Sequence, residues 1–305
     1  MTDKTTPLKV NYRLSKKNRK RKKIMEFFYL LFSHRMGIAG SIIIITFLFV
    51  AATAPLLRTV DPHQSGKASE ILVAPSMHFW FGTDDLGRDI WSQTIFGSRV
   101  SLLIGFLSAI VTVLTGALIG IIAGFYGGIL EEILMRIVDF FMMIPELPLM
   151  IVLAAVLGPS IWNIIFVVSL VSWPTTARVV RSQVLSLKER PFVEASRCIG
   201  ASDFLLMFGE ILPNVIPILF AEAVVMVTEA VYAEAVLSFL GLGDPTRISW
   251  GTMLHFAFAS GAMSSAPWWI LPPILSIVTL IIGFSFLGTA ISDILKPGYK
   301  EMKGF

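Results

Sequence analysis

Glu194-Ala195-Ser196-Arg197-Cys198-Ile199-Gly200, with Ile211-Leu212-Pro213 downstream, is not apolar enough to cross a membrane, yet it lies between two runs that are. Glu194 to Ile199 suit a helix of one to two turns, and Gly200 suits the left-handed conformation that closes one. Ser202 or Asp203 then caps a second helix. Pro213 is expected to end or kink that helix as the chain returns to apolar sequence. Helix, glycine hinge and helix, held between two spans, predict a rigid protruding knob.

The sequence outside this stretch explains why the flanks read as membrane. The 305 residues are 55% hydrophobic, and the mean hydropathy is +0.75. Uncharged runs of about 20 residues therefore read as transmembrane helices. The predicted spans are about 36–57, 100–126, 133–157, 161–180, 214–240 and 270–291. Pro145 is expected to kink the third near its middle. The basic tract Lys16 to Lys23 precedes the first span, and Arg178, Arg181, Lys188 and Arg190 follow the fourth. By the positive-inside rule both mark the cytoplasmic side, so the knob and both termini are expected there. Ala52-Thr53-Ala54 imitates a signal-peptidase site, but the apolar run before it is too long and Pro55 follows it. The first span is expected to stay attached.

The resulting organisation is a basic segment 1–35, a first helix 36–57 and an outer segment 58–99. A five-helix core 100–297 with a cytoplasmic loop 184–213 follows, then a tail 298–305. In the outer segment Thr83 or Asp84 is expected to cap a short interfacial helix carrying Ile90, Trp91, Ile95 and Phe96. In the second span Gly116, Gly120 and Gly124 line one face, a packing surface for another helix. Arg136 and Asp139, three residues apart, are placed to pair on one face.

Candidate functional groups are carboxylates at membrane depth, which face a bundle interior or a watery cavity. Glu146 sits beside Pro145, and Glu222 and Glu229, seven residues apart, share a helix face from which Glu234 is turned away. They either line a polar path suited to an ammonium group or hydroxyls, or pair with other subunits. The single cysteine, Cys198, and four scattered histidines provide neither an internal disulfide nor a metal cluster. There is no G-x-x-x-x-G-K-[ST] phosphate loop, so the chain is not expected to hydrolyse ATP. No nucleophile-and-base arrangement marks a membrane enzyme.

Glu194, Ala195, Gly200, Leu212 and Pro213 match the EAA loop of ABC-importer permeases, with Ser196 at its second alanine and Glu210 at its isoleucine position. Gly82-Thr83-Asp84-Asp85-Leu86-Gly87-Arg88-Asp89, Ser238 to Gly243, Ser249-Trp250-Gly251 and Pro267-Trp268-Trp269 also resemble the dipeptide/oligopeptide branch of that family. Pro272-Pro273 departs from its more usual Pro-Gly. The resemblance covers roughly residues 36–297. It implies an all-α membrane protein with six transmembrane helices, the type I ABC importer permease fold, in a prokaryotic inner membrane.

It further implies ATPase coupling through Glu194, Ala195, Ser196, Gly200, Leu212 and Pro213. A translocation path past Glu146, Glu222 and Glu229 is expected, as is docking of a solute-binding protein near Asp84, Asp85, Arg88 and Trp250. The implied partners are a second homologous permease, two ATPase subunits that carry ATP and Mg, and an extracellular or periplasmic binding protein; no nucleic acid is involved. Oligopeptides are the leading cargo, with oligosaccharides second. An ion-coupled carrier using the same glutamates is the alternative outside the family.

Overall fold

A computed structural model describes residues 25–262 and 264–296. The basic tract 16–23, Pro297 and the tail 298–305 lie outside the described residues. Residues 25–33 are helical, and the long helix α1 (Arg35–Leu57) follows at once. After the outer segment come α2 (Ile90–Tyr126), α3 (Gly128–Met143), α4 (Glu146–Leu157) and α5 (Ile161–Lys188). The knob contributes α6 (Pro191–Cys198), and α7 (Asp203–Phe239) leads away from it. Two further helices follow among the described residues, α8 (Trp250–Ala259) and α9 (Pro267–Leu295). Apart from one isolated bridge between Thr83 and Asp89, no strand pairing occurs among the described residues.

Among the described residues five helices are long and apolar enough to cross a membrane, or six spans if α3 and α4 count together as one. The two meet at 88°, so the expected single span with a kink at Pro145 is replaced by a break. Ile144 has ψ 129°, outside the helical region, as its position before a proline favours. Pro145 is itself extended, at ψ 126°, and becomes the N-cap of α4. Two consecutive extended residues redirect the chain where a proline alone only bends it.

The expected short interfacial helix is also corrected. It is the beginning of α2, a continuous helix of 37 residues, about 55 Å long at 1.5 Å per residue against a hydrocarbon core of about 30 Å. Its cap is Asp89, whose carboxylate accepts the Ser92 N–H, rather than Thr83 or Asp84. Gly97 does not interrupt the helix, because a close neighbour uses its missing side chain: a Cβ there would collide with the Trp250 ring.

At Pro213 the helix neither ends nor separates from span five. Residues Leu206–Ile211 widen into π-helical turns, and the α register resumes at Leu212 with proline in its first turn. There proline's missing N–H and fixed φ are tolerated. The second knob helix and the fifth span are thus one element.

The bundle is centred on α2, which packs against α5 on one side and α7 on another. Gly116, Gly120 and Gly124 form the α2–α5 seam, as the sequence suggested for packing. A Cβ on Gly120 would overlap the Ala177 carbonyl and the Val180 Cβ, and one on Gly124 would overlap Val184. Gly40 and Gly283 bring α1 and α9 together in the same way. The buried centre of the outer half includes Trp250 and Trp269, both fully enclosed.

Gly120→Leu is expected to destabilise the fold by about 2 kcal/mol through overpacking, seen as a lower melting temperature in detergent. Leu114→Ala, on an exposed part of the same helix, should melt close to the parent.

Candidate functional site

Three regions contain the residues that the sequence singled out. The knob begins where Arg190 takes an extended conformation and Pro191 starts α6. Val193, the one buried residue of α6, packs with Val184, Leu206, Met207 and Ile211 and fastens the knob to α5 and α7. Gly200 closes α6 at φ 84°. The Gly200 N–H donates to the Arg197 carbonyl at 3.0 Å and the Ala201 N–H to the Ser196 carbonyl at 3.1 Å, satisfying carbonyls at the helix end. Ser202 then caps α7 by accepting the Leu205 N–H.

Glu194, Ala195 and Gly200 are exposed at the knob, Ser196 and Leu212 are partly buried, and Pro213 is exposed. Around them stand apolar side chains that the motif reading did not single out, namely Phe192, Ile199, Phe204 and Leu205. Ile199 is 86% exposed and Phe204 69%. Their signal was available in the sequence: apolar residues in a short loop with no span to join. A compact helix pair with an apolar, exposed tip is shaped to bury itself in another surface.

Behind the knob, ion pairs tie α3 to α5. Arg181 Nε donates to Glu131 at 2.6 Å, and Arg178 donates to Asp139 at 2.6 Å. The expected Arg136–Asp139 pair is therefore not formed; Arg136 turns to Glu132 at 3.6 Å. Asp139 is taken by an arginine from the neighbouring helix, a partner that spacing along one helix does not reveal.

The second region is the carboxylate face. Glu222 is half-buried and Glu229 exposed on α7, and Glu146 is exposed in the first turn of α4. The break before α4 sets that helix against α7, so Glu146 starts a helix that packs on the one bearing Glu222 and Glu229. Among the described residues none of them forms an ion pair. Glu234 is turned away as expected and is fully buried, accepting hydrogen bonds from Ser101 at 3.0 Å and Ser238 at 2.8 Å.

The third region is the outer segment. Asp84 is wholly buried; its carboxylate accepts the Leu86 and Arg88 N–H groups, the Arg88 Nε at 2.7 Å and the Gln93 amide at 2.8 Å. Trp250 is also wholly buried and donates its indole N–H to the Thr94 carbonyl at 2.9 Å. Neither presents a docking surface, which corrects the expectation for these two residues: their role is to hold the segment's own turns and to wedge α8 against α2. Arg88 is directed at Asp84, and Asp85 forms no ion pair among the described residues. Exposed apolar groups of this segment include Met77, Trp80 and Leu86.

The family model for binding-protein-dependent transport system inner membrane components matches residues 116–301. The chain belongs to this family. It is accordingly a multi-pass inner membrane permease. Similar proteins include the dipeptide transport system permease protein DppC of Alkalihalophilus pseudofirmus, 36% identical over 90% of both chains. The oligopeptide transport system permease protein OppC of Bacillus subtilis is 37% identical over 88% of both. A putative peptide permease protein of Brucella suis is 38% identical over 87% of both. Among solved structures, a chain of the MetNI methionine ABC transporter in an inward-facing crystal form matches with TM-score 0.55 at 20% identity, over 68% of this chain and 98% of that one. The permease thus shares the type I ABC importer fold. The family match begins in the glycine seam of α2 and takes in the knob and the carboxylate face.

In this permease the Asp85 carboxyl titrates above the usual carboxylate range, first because it is partly buried and second because Asp84 is charged beside it. A carboxyl raised by folding stabilises the fold in acid, and the contribution fades as pH rises through the folded value. Asp85→Asn is expected to raise the melting temperature near pH 7 and to flatten its rise towards about pH 4 relative to the parent, read by thermal scans across that range.

Proposed function

We propose that the chain is a translocation subunit of an ATP-driven, binding-protein-dependent peptide importer, and that the knob is where ATPase movement enters it. The observation that carries this reading is continuity. α7 runs unbroken from Asp203 at the knob to Phe239 and bears both Glu222 and Glu229. A push on the knob is transmitted along a helix, whereas a flexible loop would absorb it. The exposed Ile199 and Phe204 supply the apolar contact, and Glu194 and Arg197 the polar rim, for a groove on an ATPase subunit.

The chain itself contributes no nucleotide chemistry. ATP and Mg are held by two ATPase subunits, whose closure biases a two-state bundle between inward-open and outward-open forms. A second homologous permease completes the path, and a solute-binding protein delivers cargo to the outer segment. Peptide is favoured as cargo by the names of the similar proteins, and the unpaired carboxylates Glu146, Glu222 and Glu229 suit a peptide's ammonium group. Membership of a binding-protein-dependent family favours this reading over an ion-coupled carrier.

Glu194→Lys and Gly200→Pro are each expected to reduce cellular peptide uptake at least about tenfold while membrane levels stay unchanged. Proline fixes φ near −65°, far from the 84° that Gly200 adopts. Normal uptake by both variants would remove the knob from the coupling route.

Glu229→Gln should assemble normally and lower peptide uptake several-fold, with stimulated ATPase activity retained. Uptake equal to the parent would make the carboxylate face structural.

A further inference from the structure

On the outer half of the bundle α1 and α2 diverge around a cleft of about 640 Å³. Its walls are apolar, with Leu48 and Ala52 from α1 and Leu103 and Phe106 from α2. Its exposed rim carries two arginines, Arg99 and Arg247, beside His63. The cleft shares no lining residue with the carboxylate face.

The depth of the mouth follows from the packing. The Trp91 indole N–H donates to the Leu57 carbonyl at 3.2 Å, aligning the outer end of α1 with the first turn of α2. Arg99 is eight residues further along α2, about 12 Å deeper at 1.5 Å per residue. It is the last position before the apolar run 100–126, so its stem lies along the apolar wall with its guanidinium at the interface. Phe96 steers it: the Arg99 guanidinium lies 5.8 Å from the ring centroid and that of Arg58 5.9 Å. Arg58 has Asp61 as its partner. Among the described residues Arg99 and Arg247 form no ion pair, so both exposed guanidinium groups are free to meet an anion at the interface.

We infer that this cleft binds an anionic phospholipid of the outer leaflet. Its phosphodiester sits between Arg99 and Arg247, and an acyl chain lies along Leu48, Leu103 and Phe106. Guanidinium forks match the phosphate oxygens, and the apolar walls account for the chain, which a free phosphate lacks. The alanines at 51 and 52 leave the width that the chain occupies.

The test uses the protein purified from its host membranes in mild detergent together with its native partners, then exchanged into vesicles of phosphatidylglycerol and phosphatidylcholine. Retained lipid is counted by native mass spectrometry. The parent should keep phosphatidylglycerol in preference to phosphatidylcholine, and excess inorganic phosphate should not displace it. Arg99→Gln and Arg247→Gln should each lower retention roughly tenfold, the scale of a lost charged hydrogen bond. Ala52→Phe, with both charges intact, should evict the lipid by filling the cleft. Equal retention in all variants would overturn the site. Displacement by phosphate would make it a plain anion site, and loss of a co-purifying polypeptide in place of lipid would make it a protein interface; either result also overturns the proposal.

Discussion

The structure depends on how closely α2 approaches α5. In hydrocarbon no hydrophobic effect drives helices together, because lipid tails are as apolar as leucine; close van der Waals contact has to do it. Gly116, Gly120 and Gly124 let the α5 backbone come within contact distance over two turns of α2. Once α5 is seated there, its far end carries Arg178 and Arg181 to α3 and leads directly into the knob. The glycine seam therefore positions the knob from within the bundle, at residues that are not part of the knob itself.

Much of this was legible in the sequence. Long apolar runs located the spans, although the third is broken into two helices, and the hinge at Gly200 was readable because few other residues suit φ 84°. Prolines were harder, because their effect depends on their neighbours. Pro174, Pro217, Pro272 and Pro273 all stay inside helices, whereas Pro145 sits at an 88° break because Ile144 is extended as well. Pro213 is accommodated by widened turns upstream. All carry the same local restriction, and tertiary packing selects among the outcomes.

Burial in the outer segment was the other illegible feature. Gly82 to Asp89 reads as a polar loop, and polar loops are commonly exposed. Here the Asp84 carboxylate replaces secondary structure as the organiser, collecting donors from Leu86, Arg88 and Gln93. A motif of this kind keeps its residue types for internal reasons even when it borders a partner surface. The same holds for Trp250, whose indole fills the space that Gly97 leaves. By contrast, the carboxylates that lack such partners, Glu146, Glu222 and Glu229, are the ones that the sequence already set apart at membrane depth.

The π-helical stretch Leu206–Ile211 has a geometric consequence for the whole of α7. Widened turns take up one more residue than an α-helix would, and one residue is worth 100° of rotation about the axis. The azimuth of Glu222 and Glu229 relative to the knob is therefore set by that single extra residue. Excision of one residue there would leave composition, hydropathy and both ends of the helix nearly unchanged while turning the acidic stripe by more than a quarter of a circle. The stretch works as an indexing key between the knob end of the helix and its acidic face.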